Sequence, residues 1–239
     1  MSVIMVASAK GGVGKSSLCV GVGNMLSDLG HKTLLVDMDI GVRSLDLLLN
    51  VAEKTVYNWG DVICDNCDSD RALIEINKNL TLLPAPISFS DEYDFDLMKD
   101  LIEIYKSKFE YIILDAPAGV EAGFEISLKC AEKCVIVSTP DPISVRAASS
   151  AAAIVRKTGI KDVRLVLNRY NKKQHKSICV DDIIDSTTAR FLGIVPESSE
   201  IALTAIGEEL PYDSKGNMAY LRIAKRILGE NIPFRIKNI

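Results

Sequence analysis

Short runs of unbroken apolar residues recur along the chain, and most of them stop at a polar residue, a glycine pair or a proline. Val3 to Ala7 runs toward Gly11-Gly12, Thr33 to Val36 ends at Asp37, Leu80 to Leu83 ends at Pro84, and Tyr111 to Leu114 ends at Asp115. Further on, Cys134 to Ser138 is followed by Pro140, Val163 to Leu167 by Asn168, and Phe191 to Val195 by Pro196. Runs this short and continuous fit strands covered on both faces. Between them the helical pattern predicts helices over 16–29, near 91–107, and over 121–132, 142–158, 178–189 and 217–229. Gly30 closes the first helix as the residue just past its end. The pattern predicts an α/β chain: a mostly parallel central sheet of about seven or eight strands with helices on both faces. No repeat, low-complexity tract or linker interrupts it, so residues 1–239 read as one domain. In open parallel sheets ligands sit off the carboxyl ends of the strands, which is where the polar stops fall.

Composition narrows the classes. The 239 residues are 48% hydrophobic and 25% charged, which excludes a disordered chain. A net charge of −4 argues against retention on nucleic acid by bulk charge. With His31 and His175 as the two histidines, a His-rich metal centre is excluded. The start lacks a basic leader, and no window approaches the roughly 18 apolar residues of a membrane span, so a cytoplasmic protein with reduced cysteines is expected. Cys64-Asp65-Asn66-Cys67 is a single C-x-x-C without a second pair, and reads as two thiols rather than a metal site.

The strongest local signal is Ala9-Lys10-Gly11-Gly12-Val13-Gly14-Lys15-Ser16-Ser17, between the first strand and the first helix. It fits the phosphate-binding pattern G-x-x-x-x-G-K-[ST], with Ala9 in place of the first glycine. Glycines let backbone N–H groups curl around a phosphate, and the helix N-terminus favours negative charge. Lys15 would neutralise the β- and γ-phosphates, and the Ser16 hydroxyl would ligate Mg²⁺. Asp37 and Asp39, at the end of the second strand, can hold Mg²⁺-bound water and orient the attacking one. Asp115 ends a strand of the kind whose carboxylate binds the metal or its water. Gly119, shortly after it, permits a loop to swing and offer its N–H to the γ-phosphate.

Lys10 puts a second lysine in the loop, and K-G-G-V-G-K-S resembles the deviant Walker A motif of the MinD/ParA family of ATPases. Asp39-Ile40-Gly41-Val42-Arg43-Ser44-Leu45-Asp46 and Asp115-Ala116-Pro117-Ala118-Gly119-Val120-Glu121 resemble the MinD forms of the two switches. Pro140-Asp141-Pro142-Ile143-Ser144-Val145-Arg146 and Asn168-Arg169-Tyr170-Asn171 match further MinD patterns. The resemblance implies a P-loop NTPase fold of the SIMIBI type, ATP and Mg²⁺ as cofactors, and a homodimer that sandwiches ATP. It implies that Lys10 reaches the partner's nucleotide and that Asp39 is the switch I residue needed for hydrolysis. Lys10, Lys15 and Asp39 are then the catalytic set, and Ser16, Asp39 and Asp115 the metal set. Lys10 to Ser17, with Gly119, Asn168, Arg169 and Pro196, form the nucleotide-binding set, Asn168 and Pro196 lying on the adenine side.

The same resemblance implies a switch in septum placement that recruits the division inhibitor MinC on the membrane and, where it is present, responds to the activator MinE. A lysine-rich amphipathic C-terminal helix is usual in that group. Here Phe234 to Ile239 alternates with a period of two, and its two basic residues would add only about 2 kcal/mol of attraction to a membrane surface. Arg222, Lys225 and Arg226 on the last helix read as a solvated basic face. A DNA-partitioning ParA protein and a flagellar-number ATPase are the alternatives. No specific nucleic acid is expected. A nitrogenase-iron-protein-like reductase would need a cysteine seven residues beyond Asp115, where this chain has Ala122.

Overall fold

The computed structural model describes residues 1–119, 122–172, 179–204 and 210–234. The strands are β1 (Ser2–Ser8), β2 (Thr33–Asp37), β3 (Ile74–Asn77), β4 (Leu80–Leu83), β5 (Tyr111–Ala118), β6 (Lys133–Ser138), β7 (Asp162–Tyr170) and β8 (Arg190–Pro196). They form one sheet in the order β3-β4-β2-β5-β1-β6-β7-β8. All neighbours are parallel except the edge hairpin of β3 and β4. The helices are α1 (Lys15–Asp28), α2 (Leu45–Leu48), α3 (Trp59–Ile63), α4 (Leu97–Lys106), α5 (Ala122–Cys130), α6 (Pro142–Lys157), α7 (Val180–Thr187), α8 (Ser199–Leu203) and α9 (Lys215–Ile227). Among the described residues no helix is long and apolar enough to cross a membrane.

Period-two alternation sorts each buried strand between two cores. Ile4, Val6, Leu35, Ile113, Val135 and Val166 face the layer of α1 and α9. On the other face Met5, Ala7, Ile136 and Leu165 meet α5, α6 and α7, while Val3, Leu34 and Leu114 meet α3 and α4. The α1–α9 contact is close: a Cβ on Gly21 would sit 2.4 Å from the Tyr220 ring, so only glycine lets the two helices approach this far.

All seven sequence-predicted strands are present, and β3 is an eighth. Its Ile74-Glu75-Ile76-Asn77 is too short to stand out, and the Asn77 carboxamide closes the hairpin by accepting from the N–H groups of Asn79 and Leu80 at 3.0 and 2.9 Å. The helix expected from 91 begins only at Leu97. Ahead of it Ser90 and Asp94 bond the N–H groups two residues on, at Glu92 and Asp96, and local bonds of that kind compete with helix. The end alternation over 235–239 lies outside the described residues, as do Val120 and Glu121 of the second switch pattern.

Candidate functional site

The carboxyl ends of β1, β2 and β5 lie side by side, with Asp37 paired to Asp115 in register. β1 gives way to a tight loop in which Gly12 and Gly14 have φ of 74° and 89°, a region that glycine enters without cost. Gly14 is the N-cap of α1, no side chain caps that helix, and its first turn carries no acid. Its free N–H groups and dipole are thus left for an anion. Lys15, the first helical residue, is buried at the root of the loop, whereas Gly11 and Gly12 are exposed.

Asn168 comes from the end of β7 and covers this loop. Its Nδ2 donates to the Val13 carbonyl at 2.7 Å, and its Oδ1 accepts from Arg169 N–H at 2.9 Å. A Cβ on Gly14 would lie 2.2 Å from that Nδ2, so the glycine answers a close approach as well as a backbone angle. Asn168 therefore holds the phosphate loop in this conformation, a role its sequence position did not announce. Arg169 beside it is exposed with φ 55°, and Pro196 at the end of β8 is buried, its strand joined to β7 through the Tyr170–Pro196 pair.

Two carboxylates are buried beneath the loop. Burial first, and then the charge of Asp115, push the Asp37 carboxyl well above the usual range. Asp37 accepts the N–H groups of Asp39 and Leu45, both at 3.0 Å, and so folds the intervening segment into a turn. Burial likewise pushes Asp115 up, opposed by the Lys15 charge and by hydrogen bonds from Ser16 and Cys19. The Cys19 thiol donates to Asp115 Oδ1 at 3.5 Å, and Ser44 Oγ donates to Ser16 Oγ at 3.0 Å. Two buried acids facing one ammonium, with hydroxyls alongside, suit a hard divalent cation. No cluster of three His, Cys, Asp or Glu that could hold a metal occurs among the described residues.

Asp39 is half-buried at the rim, joined to the turn by Arg43 N–H, which donates to its carbonyl at 3.0 Å. Gly119 has φ 95°, and its N–H donates to the Ser8 carbonyl at 3.2 Å, a bond that must open before the N–H can serve a phosphate. Lys10 leaves the loop sideways: its Nζ lies 3.2 and 3.3 Å from the two Asp141 oxygens. Lys10, Gly11, Gly12, Val13, Asp141 and Arg169 line a cavity of about 360 Å³. A larger groove between α5 and α6 lies at the opposite, amino-terminal edge of the sheet, beside Lys133 and Asp162, away from all these groups.

The structure thus brings together Lys10 to Ser17, Asp39, Asp115, Gly119 and Asn168, with Arg169 and Pro196 at the flank. Sequence reasoning gave no role to Asp141, Ser44 or Trp59. Trp59 is the chain's one tryptophan; it is buried, and its Nε1 donates to the Asp37 carbonyl at 2.8 Å. A buried indole close to a switch aspartate was detectable as the lone Trp in a polar stretch, but nothing local named its partner. Arg226, expected on a solvated basic face, is instead half-buried and tied down. Its guanidinium donates to the carbonyls of Leu192, Ile232 and Pro233 at 2.9, 3.1 and 3.2 Å and lies 4.0 Å from the Phe234 ring centroid.

Residues 1–213 match the sequence model of the ParA family, described as NUBPL iron-transfer P-loop NTPase. The septum site-determining protein MinD of Synechocystis sp. is 38% identical over 242 residues, spanning 97% of this chain and 91% of that protein. Among solved structures, the MinC:MinD cell division protein complex of Aquifex aeolicus contains a chain that matches with a TM-score of 0.90 at 33% identity, covering 98% of both chains. The Mg-ADP complex of MinD from Pyrococcus horikoshii shares the fold, with a TM-score of 0.87 at 22% identity over 97% of this chain and 99% of that one.

Proposed function

The chain belongs to the MinD/ParA family of P-loop NTPases, and from that membership and its site we propose that it is a MinD-type, ATP-dependent dimerising ATPase. Its role is septum placement through a MinC-like division inhibitor. The observation that carries this is the contrast between two lysines of one loop: Lys15 is buried at the root, whereas Lys10 is half-exposed at the rim. One lysine serves the nucleotide of its own subunit, and the other, paired at the rim with Asp141, serves a second subunit.

In this reading ATP lies along the loop, its β-phosphate in the N–H groups of Gly11 to Lys15 and its adenine toward Asn168, Arg169 and Pro196. Lys15 neutralises the β- and γ-phosphates, and Lys10 reaches the partner's nucleotide. Ser16, Asp39 and Asp115 would hold Mg²⁺. When bound, the ion supplies charge neutralisation on the phosphate oxygens. Asp39 also orients the attacking water for in-line displacement of ADP, and Gly119 turns its N–H from Ser8 toward the γ-phosphate. Asp37 shapes the first switch through its two backbone bonds. Hydrolysis is slow because the nucleotide state is the signal. The protein works in the cytoplasm; the inner membrane face is the surface its ATP state would use, and a MinE-like activator, where one is present, would set its release.

The test is solution mass with Mg²⁺ and uncleavable triphosphate, diphosphate or no nucleotide. A doubled mass with the triphosphate alone is expected, and one mass in all three states refutes the reading. Asp39→Ala should bind ATP, fail to hydrolyse it and stay dimeric; hydrolysis at the wild-type rate removes Asp39 from its role. Co-sedimentation with anionic liposomes but not plasmid DNA, in ATP alone, is the expected surface preference. Retention by DNA alone would favour a partitioning role.

A further inference from the structure

The loop lysine that the dimer reading sends across to a partner is not idle within its own subunit. Both Asp141 oxygens lie within 3.3 Å of Lys10 Nζ, and the two side chains are 40% and 39% exposed. Asp141 is anchored independently of the lysine. It is the N-cap of α6, accepting from Ser144 N–H at 2.9 Å and from Thr139 Oγ1 at 2.6 Å, with Pro142 following as the first helical residue. The Lys10 backbone is fixed too, its carbonyl accepting from Ser8 Oγ at 2.9 Å. Only the lysine stem is free to swing. Partial burial works against ionisation of Asp141, yet Thr139, Ser144 and Lys10 together hold its carboxyl below the usual range, so the group is a full anion at neutral pH.

We propose that Asp141 is a positioning residue that holds Lys10 in the monomer as a stand-in for the partner's phosphates and so sets the threshold for ATP-dependent dimerisation. This rests on the dimer reading above. The exchange is easy to reverse. When Lys10 leaves, Asp141 keeps its bonds to Ser144 and Thr139, so no bare carboxylate is stranded. Nucleotide phosphates offer more negative charge than the carboxylate they replace, and a triphosphate more than a diphosphate, so the triphosphate-loaded partner competes best for the lysine. A half-exposed ion pair shifts an equilibrium by up to about five-fold. Each dimer releases two such lysines, so the factor is squared in the dimerisation constant, to about twenty-five-fold at most.

Asp141→Asn is the informative variant, because asparagine is also a good N-cap and keeps an acceptor for Ser144 while the charge is lost. In sedimentation with Mg²⁺ and uncleavable triphosphate, its protein concentration for half-assembly should fall about four- to twenty-five-fold below wild type. A Lys10→Ala chain lacks the lysine that reaches the partner, so it should stay monomeric with or without Asp141→Asn. A second readout needs no dimer: acylation of Lys10 in the nucleotide-free monomer, followed by mass spectrometry, should run about two- to five-fold faster in Asp141→Asn. Wild-type dimers with an unchanged or raised midpoint in the variant, an effect that persists without Lys10, or equal acylation rates each overturn the inference alone. A wild-type chain that keeps a monomer mass in every nucleotide state overturns the dimer reading and this inference together.

Discussion

Replacing Gly14 by alanine should collapse the phosphate loop through a neighbour as much as through its own backbone. At φ 89° an L-residue is strained by about 1–2 kcal/mol. The added methyl would also sit 2.2 Å from Asn168 Nδ2, closer than any real contact, so the carboxamide must leave. Asn168 is only 4% exposed, and a displaced amide there loses its 2.7 Å bond to Val13 and leaves buried polar groups unmet, which costs about 1–3 kcal/mol. Together the variant should lose about 2–5 kcal/mol of stability. A double-mutant cycle separates the two parts. In an Asn168→Ala background the clash is already gone, and Gly14→Ala should then cost only the backbone strain, about 1–2 kcal/mol. Urea unfolding of the four proteins gives the stabilities, and titration with a fluorescent ADP analogue reports the loop. Equal cost of Gly14→Ala in both backgrounds would show that Asn168 does not cover the loop.

Other perturbations probe the surroundings of the site. Trp59→Phe removes the indole N–H from the Asp37 carbonyl and leaves a void in a fully packed position, so a loss of about 2–4 kcal/mol in urea unfolding is expected. Arg226→Ala strips three backbone carbonyls of their donor and uncovers Phe234; a loss of about 1–3 kcal/mol is expected, against little change for Arg222→Ala, and equal effects would contradict the packed role. Asp162 is held below the usual carboxylate range by hydrogen bonds from Arg164, with partial burial opposing. Its contribution is therefore present above the unfolded-state pKa and fades as pH falls through the folded one. Asp162→Asn should lower stability by less than about 1 kcal/mol at neutral pH and leave it unchanged in acid, as read from unfolding midpoints across pH.

Much of this was legible in the chain because buried parallel strands carry their signal locally. Seven apolar runs read as strands, and the polar residues that stop them, Asp37, Asp115 and Asn168, are those that gather at the site. What stayed hidden depended on contacts distant in sequence or on competing local bonds. The edge strand at 74–77 needs β4 to define it, and the first turns of the expected helix at 91 are lost to side-chain bonds from Ser90 and Asp94. Paired acids at the end of β2 invite a single shared role, yet burial separates them: Asp37 shapes the turn from within, and Asp39 remains at the rim. Likewise the position of Asn168 is visible in sequence, but its bond to a loop 155 residues earlier is not.

The lone tryptophan turns one packing detail into a practical asset. Trp59 reaches the Asp37 backbone with its indole nitrogen and is flanked by the rings of Tyr93 and Phe95 at 5.7 and 6.3 Å. Indole emission depends on such hydrogen bonding and stacking, and no other tryptophan dilutes it. The unlabelled protein thus carries its own optical gauge of the segment between β2 and α2, by which stopped-flow mixing can time that segment's rearrangement separately from changes in mass.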